Sequence, residues 1–147
     1  MMIAVLDTNV LVQAAISARG ASFQVVKAHL EGQYEQAFSQ NTLEELARAL
    51  TIPRIRARHG WSDTEIREFV QLLCLGARVY PSRLGVAASI TRDVTDTKFL
   101  ALAVESGADY LVTGDRRHLL RLRKYGRTKI VTPREFLRAL EQLRGRS

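Results

Sequence analysis

Four acidic residues occupy positions from which they could hydrolyse a phosphodiester. Asp7 and Asp115 each come one to three residues after the last apolar residue of a predicted strand, and Glu45 and Asp96 each lie near the start of a predicted helix. If the fold brings these carboxylates together, their repulsion favours a hard divalent cation such as Mg²⁺ or Mn²⁺. A metal-bound water is a better nucleophile, and the metal balances the charge that builds up on an attacked phosphate. The four acids together therefore predict metal-dependent phosphodiester hydrolysis.

Each of these positions also has a purely structural explanation. Glu45 fits a capping box with Thr42, which is the more common role for such a pair by local sequence alone. Asp96 could be a first-turn anion favoured by the helix dipole, and Asp115 could be a turn residue. Asp7 is the hardest to explain in this way, because an acid that ends an apolar strand is costly to bury without a partner. The joint spacing of the four acids carries more weight than any single position.

Predicted strands and helices alternate along the chain. Ile3-Ala4-Val5-Leu6 is a continuous apolar run, which is typical of a strand buried on both faces of a parallel sheet. Further strands are predicted over 34–38, 78–80, 110–112 and 130–131. Helices are predicted over 10–17, 22–30, 42–50, 62–74 and 96–106 and from 132 onward, whereas 82–91 is ambiguous. Because parallel neighbours need crossover helices, we expect a three-layer α/β/α sandwich with a mostly parallel central sheet, whose functional groups gather at the carboxyl ends of the strands.

Polar residues predict where several of these helices begin. Ser22 is expected to cap the second helix, and capping boxes are expected at Thr42 with Glu45 and at Ser62 with Glu65. Pro53 is expected to stop a helix, and a basic loop or turn is expected over 54–60. The last helix is expected to begin with Thr132 as its cap, Pro133 in its first turn and Glu135 as the capping-box glutamate.

Length and composition predict one domain spanning 1–147. The 147 residues are 46% hydrophobic and 25% charged, which is ordinary for a globular domain, and they suffice to bury a core without disulfides or a structural metal. The single cysteine, Cys74, allows no intrachain disulfide and favours a reducing cytoplasm. The first apolar run ends at Asp7 and has no basic segment before it, so we expect neither a signal peptide nor a membrane span.

The distribution of charge indicates an anionic partner. The formal net charge is +7, yet residues 116–147 contain 11 basic and 2 acidic side chains, while the preceding residues contain 11 basic and 13 acidic ones. Nucleic-acid phosphates attract such a concentration of Lys and Arg through counterion release. A solvated basic helix face explains the same charges equally well.

Other chemistries fit the sequence less well. The three histidines, His29, His59 and His118, lack metal-ligand spacing, and the chain has neither a phosphate-cradling glycine loop nor a serine in a nucleophile elbow. An aspartyl phosphatase needs a second acid two residues after its nucleophile, where this chain has Asn9. A phosphate-receiver domain needs an Asp at the end of a middle strand, where this chain has Pro81.

Four motifs strongly resemble those of the PIN-domain nucleases, in the same order and spacing. The motifs are Leu6-Asp7-Thr8-Asn9-Val10, Thr42-Leu43-Glu44-Glu45-Leu46, the segment 93–103 that contains Asp96, and the segment 108–115 that ends in Thr113-Gly114-Asp115. The closing segment 130–137 resembles the end of the bacterial and archaeal VapC-like branch, the toxins of toxin–antitoxin pairs. The resemblance covers essentially the whole chain.

The resemblance implies a metal-dependent endoribonuclease that leaves a 5′-phosphate and a 3′-hydroxyl. The residues that would hold Mg²⁺ or Mn²⁺ are Asp7, Glu45, Asp96 and Asp115. The residues that would support them are Thr8, Asn9, Asp93 and Thr113. The implied partners are RNA, a small antitoxin protein and a second copy of the chain in a homodimer.

The chain departs from the family pattern directly after Asp115. Many relatives carry a further acid or amide there, whereas this chain continues Arg116-Arg117-His118. The departure weighs against a second bound metal and would place two arginines against RNA phosphates. A second basic rim is expected at Arg54, Arg56 and Arg58. The alternative hypothesis is a PIN-fold RNA-binding or interaction module with weak or no catalysis.

Overall fold

A computed structural model of the protein describes residues 1–81, 94–115 and 119–145, with residues 94–96 described by their backbone alone. The strands are β1 (Ile3–Leu6), β2 (Glu35–Ser39), β3 (Arg78–Tyr80), β4 (Tyr110–Val112), β5 (Lys124–Tyr125) and β6 (Thr128–Val131). The helices are α1 (Thr8–Ile16), α2 (Ala21–Leu30), α3 (Gln40–Thr51), α4 (Pro53–His59), α5 (Asp63–Cys74), α6 (Val94–Ser106), α7 (Leu119–Leu122) and α8 (Pro133–Arg144).

The strands form one sheet in the order β3-β2-β1-β4-β6-β5, and every neighbouring pair is parallel except β5 with β6. In the register of β1 with β4, Leu6 lies opposite Val112. The backbone N–H of Asp7 continues this pairing and donates to the Val112 carbonyl at 2.9 Å. The chain segments that leave β1 and β4 are therefore neighbours at the carboxyl edge of the sheet.

Helices cover both faces of this sheet. Side chains of β1 alternate between two hydrophobic clusters, Ala4 and Leu6 in one and Val5 in the other. The first cluster packs the sheet against α1, α2, α3, α5 and α8, and the second packs it mainly against α6. These layers confirm the predicted α/β/α sandwich with its mostly parallel sheet.

The start of α3 differs from the prediction, and the difference concerns Glu45. The N-cap is Ser39, whose hydroxyl accepts from the Thr42 N–H at 3.2 Å, while the Thr42 hydroxyl accepts from the Ser39 N–H at 2.9 Å. The predicted capping box of Thr42 with Glu45 is therefore wrong. Because α3 begins at Gln40, Glu45 lies in its second turn, away from the helix end.

Other helix boundaries also need correction. The N-cap of α2 is Gly20, which makes no side-chain cap, so the prediction that Ser22 caps this helix is wrong. The segment predicted as a basic loop is helical over Pro53–His59, with Pro53 in the first turn and Gly60 in the left-handed conformation at φ 71°. The short elements α7 and β5 were not predicted.

The capping boxes of α5 and α8 are confirmed at Ser62 with Glu65 and at Thr132 with Glu135. In the parts of the chain that the structure describes, no helix is long and apolar enough to span a bilayer.

Candidate active site

Asp7 lies at the junction of β1 and α1, where it is the N-cap of the helix. The residue is only 6% exposed. Its Oδ2 accepts from the Thr113 hydroxyl at 2.7 Å, and its Oδ1 accepts from the Asn9 N–H at 3.4 Å. These two contacts, one from each side, fix the orientation of the carboxylate at the carboxyl edge of the sheet.

Thr113 connects Asp7 to the loop that follows β4. Its side chain is fully buried, and its hydroxyl oxygen accepts from the Asp115 N–H at 3.0 Å while donating to Asp7. Thr113 therefore links the segment that carries Asp7 to the segment that carries Asp115. The supporting role expected for Thr113 in the site stays a prediction.

Glu45 reaches the same region from α3. Its Oε2 accepts a very short hydrogen bond from the Thr8 hydroxyl, and its Oε1 accepts from the Lys98 ammonium at 3.1 Å. The side chains of Lys98 and Glu45 are 13% and 18% exposed. Thr8 was an expected supporting residue, whereas sequence reasoning missed Lys98. The available signal was that Lys98 is the only basic residue in the sequence of α6.

Glu45 and Asp115 lie close enough to Asp7 for their charges to affect its pKa. Burial raises the pKa of the Asp7 carboxyl above its usual value, because a charged carboxylate is poorly solvated there. The hydrogen bonds from Thr113 and Asn9 lower this pKa, and the nearby charges of Glu45 and Asp115 raise it further. The sheet edge thus concentrates negative charge around a buried carboxylate.

Asp96 lies in the first turn of α6, two residues before the lysine that contacts Glu45. The side chain of Asp96 is not described, and Asp93, Arg116 and Arg117 lie outside the described residues.

The donor chemistry of the site fits a hard divalent cation. The groups that converge are carboxylate and hydroxyl oxygens, which Mg²⁺ and Mn²⁺ prefer. Among the described side chains, which exclude that of Asp96, no three acidic, histidine or cysteine residues are grouped closely enough to hold one ion. Glu45 is instead paired with the Lys98 ammonium, which balances part of the negative charge.

The predicted basic rim lies on α4, and its three arginines have different surroundings. Arg54 and Arg58 are exposed, whereas Arg56 forms an ion pair with Asp63 at 2.5 Å. Two arginines from the last fifth of the chain, Arg121 and Arg123, line a separate cleft of about 410 Å³. Both regions present cations to solvent.

Comparison with known families and structures gives consistent matches. The family model for the PIN domain matches residues 4–117. The uncharacterized protein MJ1680 of Methanocaldococcus jannaschii is 27% identical over 146 residues, which cover 94% of this chain and 91% of that protein.

Two crystal structures share the fold. PAE2754 from Pyrobaculum aerophilum matches with a TM-score of 0.61 and 21% identity, covering 96% of this chain and 90% of that one. VapBC2 from Rickettsia felis, bound to a DNA fragment from their promoter, matches with a TM-score of 0.60 and 13% identity, covering 89% of this chain and 98% of that one. The segment matched by the family model contains all four predicted acids.

Proposed function

The chain belongs to the PIN-domain family, and from that premise we propose that it is a Mg²⁺- or Mn²⁺-dependent endoribonuclease. The residues proposed to hold the metal are Asp7, Glu45, Asp96 and Asp115. The observation that carries this proposal is the buried Asp7 carboxylate, which is hydrogen-bonded by Thr113 and lies within the field of the Glu45 and Asp115 charges. Such a concentration of negative charge is stabilised by a bound cation.

The residues of the chain have separable roles in this mechanism. A divalent cation held by Asp7, Glu45, Asp96 and Asp115 would acidify a bound water and balance the charge that develops on the phosphate. Thr113 holds the Asp7 carboxylate in one orientation, and Thr8 does the same for Glu45. Lys98 balances the charge of Glu45 and keeps that side chain within the site. Cleavage would leave a 5′-phosphate and a 3′-hydroxyl.

The basic residues are proposed to contact RNA phosphates. Arg116 and Arg117 directly follow Asp115 in the sequence, so an RNA strand that reaches the acids would pass close to them. Arg54 and Arg58 on α4 provide exposed cations for a second contact, whereas Arg56 is already paired with Asp63.

The biological role proposed is that of a toxin neutralised by a small antitoxin protein in the cytoplasm. Two observations support it: the resemblance of the closing segment to VapC-like toxins, and the similarity of the fold to VapBC2. The homodimer expected from the family resemblance stays a prediction.

A second candidate function is an RNA-binding module without turnover. The observation that favours it is the engagement of Glu45 by both Thr8 and Lys98, which leaves that carboxylate paired without a metal. This candidate predicts RNA binding that is indifferent to divalent ions and no cleavage.

Cleavage of a labelled single-stranded RNA in Mn²⁺, Mg²⁺ or EDTA tests the proposal. We expect cutting with either metal, none in EDTA, and a rate about 10- to 100-fold lower for Glu45→Gln. Glu44→Gln is the matched control, because Glu44 is the exposed neighbour of Glu45 on α3 and should keep the wild-type rate. Equal losses in both variants, or cutting in EDTA, would contradict the proposal, and binding of several RNAs without cutting would favour the binding module.

A further inference from the structure

A cleft of about 300 Å³ opens beside the acidic site. Its described lining includes Asp115 and Gly114 at one end, Asn9 and Gln13 from α1, and Ser22 from the first turn of α2. The backbone N–H of Asn9 is hydrogen-bonded to Asp7, so the cleft begins at the carboxylates and extends away from them along α1. A ligand in this cleft would lie next to the proposed reaction centre.

Three side chains of this cleft have hydrogen-bonding groups that no other described residue uses. Ser22 is only 9% exposed, and its hydroxyl has no hydrogen-bond partner in the described ranges, because the position that it was expected to cap belongs to Gly20. The side-chain amides of Asn9 and Gln13 likewise make no hydrogen bond within the described chain. The Ser22 oxygen is not one of the buried unpartnered atoms of the described residues, which belong to His29 and Gln36. It is therefore accessible from the cleft that Ser22 lines and can hydrogen-bond a ligand there.

The chemistry of the lining distinguishes a base from a phosphate. None of the described residues that line the cleft is Lys or Arg, so the described lining offers no cation to a phosphate. Amides and hydroxyls pair with the donor and acceptor edges of nucleobases, while Val10 and Pro133 offer apolar contact to a ring. Asn9 and Gln13 are four residues apart on α1, about 6 Å along the axis, which matches one base and not a run of nucleotides.

We propose that this cleft binds a single unpaired nucleobase adjacent to the scissile phosphate and that Gln13 and Ser22 hydrogen-bond its edge. The position of the phosphate rests on the proposed ribonuclease function. Base binding itself depends only on the cleft and is measurable without cleavage.

The test uses the full chain, a short fluorescent single-stranded RNA in Ca²⁺, and the same RNA with one nucleotide at a time lacking its base. Fluorescence anisotropy should show that loss of one particular base weakens wild-type binding about tenfold. A Gln13→Ala/Ser22→Ala variant should bind the intact RNA about tenfold more weakly than the wild-type chain does. Both chains should bind the RNA that lacks that base equally, because the contact is already absent.

Gln24→Ala is the matched control. It removes the same amide from an exposed position on α2 that lines a different groove, and it should bind every RNA as the wild type does. Equal losses by the double variant on intact and abasic RNA, or no abasic position that weakens binding, would overturn the base site.

Failure of this inference can be told apart from failure of the proposed function. Base-dependent binding by a wild-type chain that cuts no RNA in Mn²⁺ would overturn the ribonuclease and keep the base site. Cutting by a wild-type chain whose binding is insensitive to every abasic substitution would keep the ribonuclease and overturn the base site. An Asp7→Asn variant should lose cleavage and keep the base dependence of binding.

Discussion

Cleavage of single-stranded RNA by an Asp7→Asn variant is expected to be about 10²- to 10³-fold slower than cleavage by the wild-type chain, the size of loss that follows removal of one preorganised electrostatic group. The substitution keeps the shape of the side chain and an oxygen that can accept from Thr113. It removes the buried negative charge that attracts the cation. Wild-type cleavage by a folded Asp7→Asn variant, prepared in parallel with the wild type, would exclude Asp7 from the reaction.

The same variant is expected to be more stable than the wild type when no metal is present. Burial raises the pKa of Asp7 above its usual value of 3.8, so the folded chain holds a proton that the unfolded chain releases. Rising pH therefore favours unfolding across the interval between the two pKa values, and the charged carboxylate lowers stability at neutral pH. Asparagine carries no such charge, so Tm should rise.

Thermal unfolding in EDTA, followed by circular dichroism, checks this expectation. The difference in Tm between Asp7→Asn and the wild type should be largest at neutral pH and should close as the pH falls below 3.8, where both side chains are neutral. An Asp7→Asn variant that is less stable than the wild type at neutral pH would show that the carboxylate stabilises the fold. The prediction that the charged Asp7 carboxylate destabilises the wild-type fold would then be wrong, whatever the cleavage assay shows.

Phe136→Ala is expected to lower the free energy of unfolding by about 3 to 5 kcal/mol, the usual loss for a buried phenylalanine. Phe136 is fully buried on α8, and its ring meets Tyr34 edge-to-face at a centroid distance of 4.9 Å and Tyr110 at 5.6 Å. A loss of this size is a large part of the roughly 5 to 15 kcal/mol that stabilises a domain. Urea unfolding measures it directly.

Leu143→Ala is the control for this substitution, because Leu143 is on the same helix but 48% exposed. It should change stability by no more than about 0.5 kcal/mol. Helix α8 lies beyond the segment 4–117 that the family model matches, yet Phe136 belongs to the core cluster that contains Leu6 of β1. A loss below about 1 kcal/mol for Phe136→Ala would contradict the proposal that 1–147 forms one domain.

Local sequence was sufficient to predict the ends of strands where an apolar run is followed directly by polar residues. The apolar run of β1 and the polar residues that follow β4 predicted two strand ends at one edge of the sheet, and the structure places Asp7 and Thr113 in contact there. The same local reasoning misplaced the start of α3, because Thr42 can form a box with either Ser39 or Glu45. The choice depends on where β2 ends, and its last residue, Ser39, is paired with Tyr80 of β3. That pairing is non-local and cannot be read from the capping pattern.

Lys98 was missed for a related reason. Its contact with Glu45 joins residues 53 positions apart and depends on how α6 packs against α3, which no local pattern reports. The α4 segment was misassigned because Arg54-Ile55-Arg56-Ala57-Arg58 lacks an apolar stripe at helical spacing. Pro53 was interpreted only as a helix stop, although it also starts the next helix.

Calorimetric titration with Mn²⁺ tests the central claim most directly, since it measures the proposed metal site without any substrate. The wild-type chain and the Glu44→Gln control should bind Mn²⁺ with the same affinity, and Asp7→Asn and Asp96→Asn should each bind it at least about tenfold more weakly while remaining folded. Equal Mn²⁺ affinity in all four chains would contradict the account, because Asp7 and Asp96 would then not belong to the metal site.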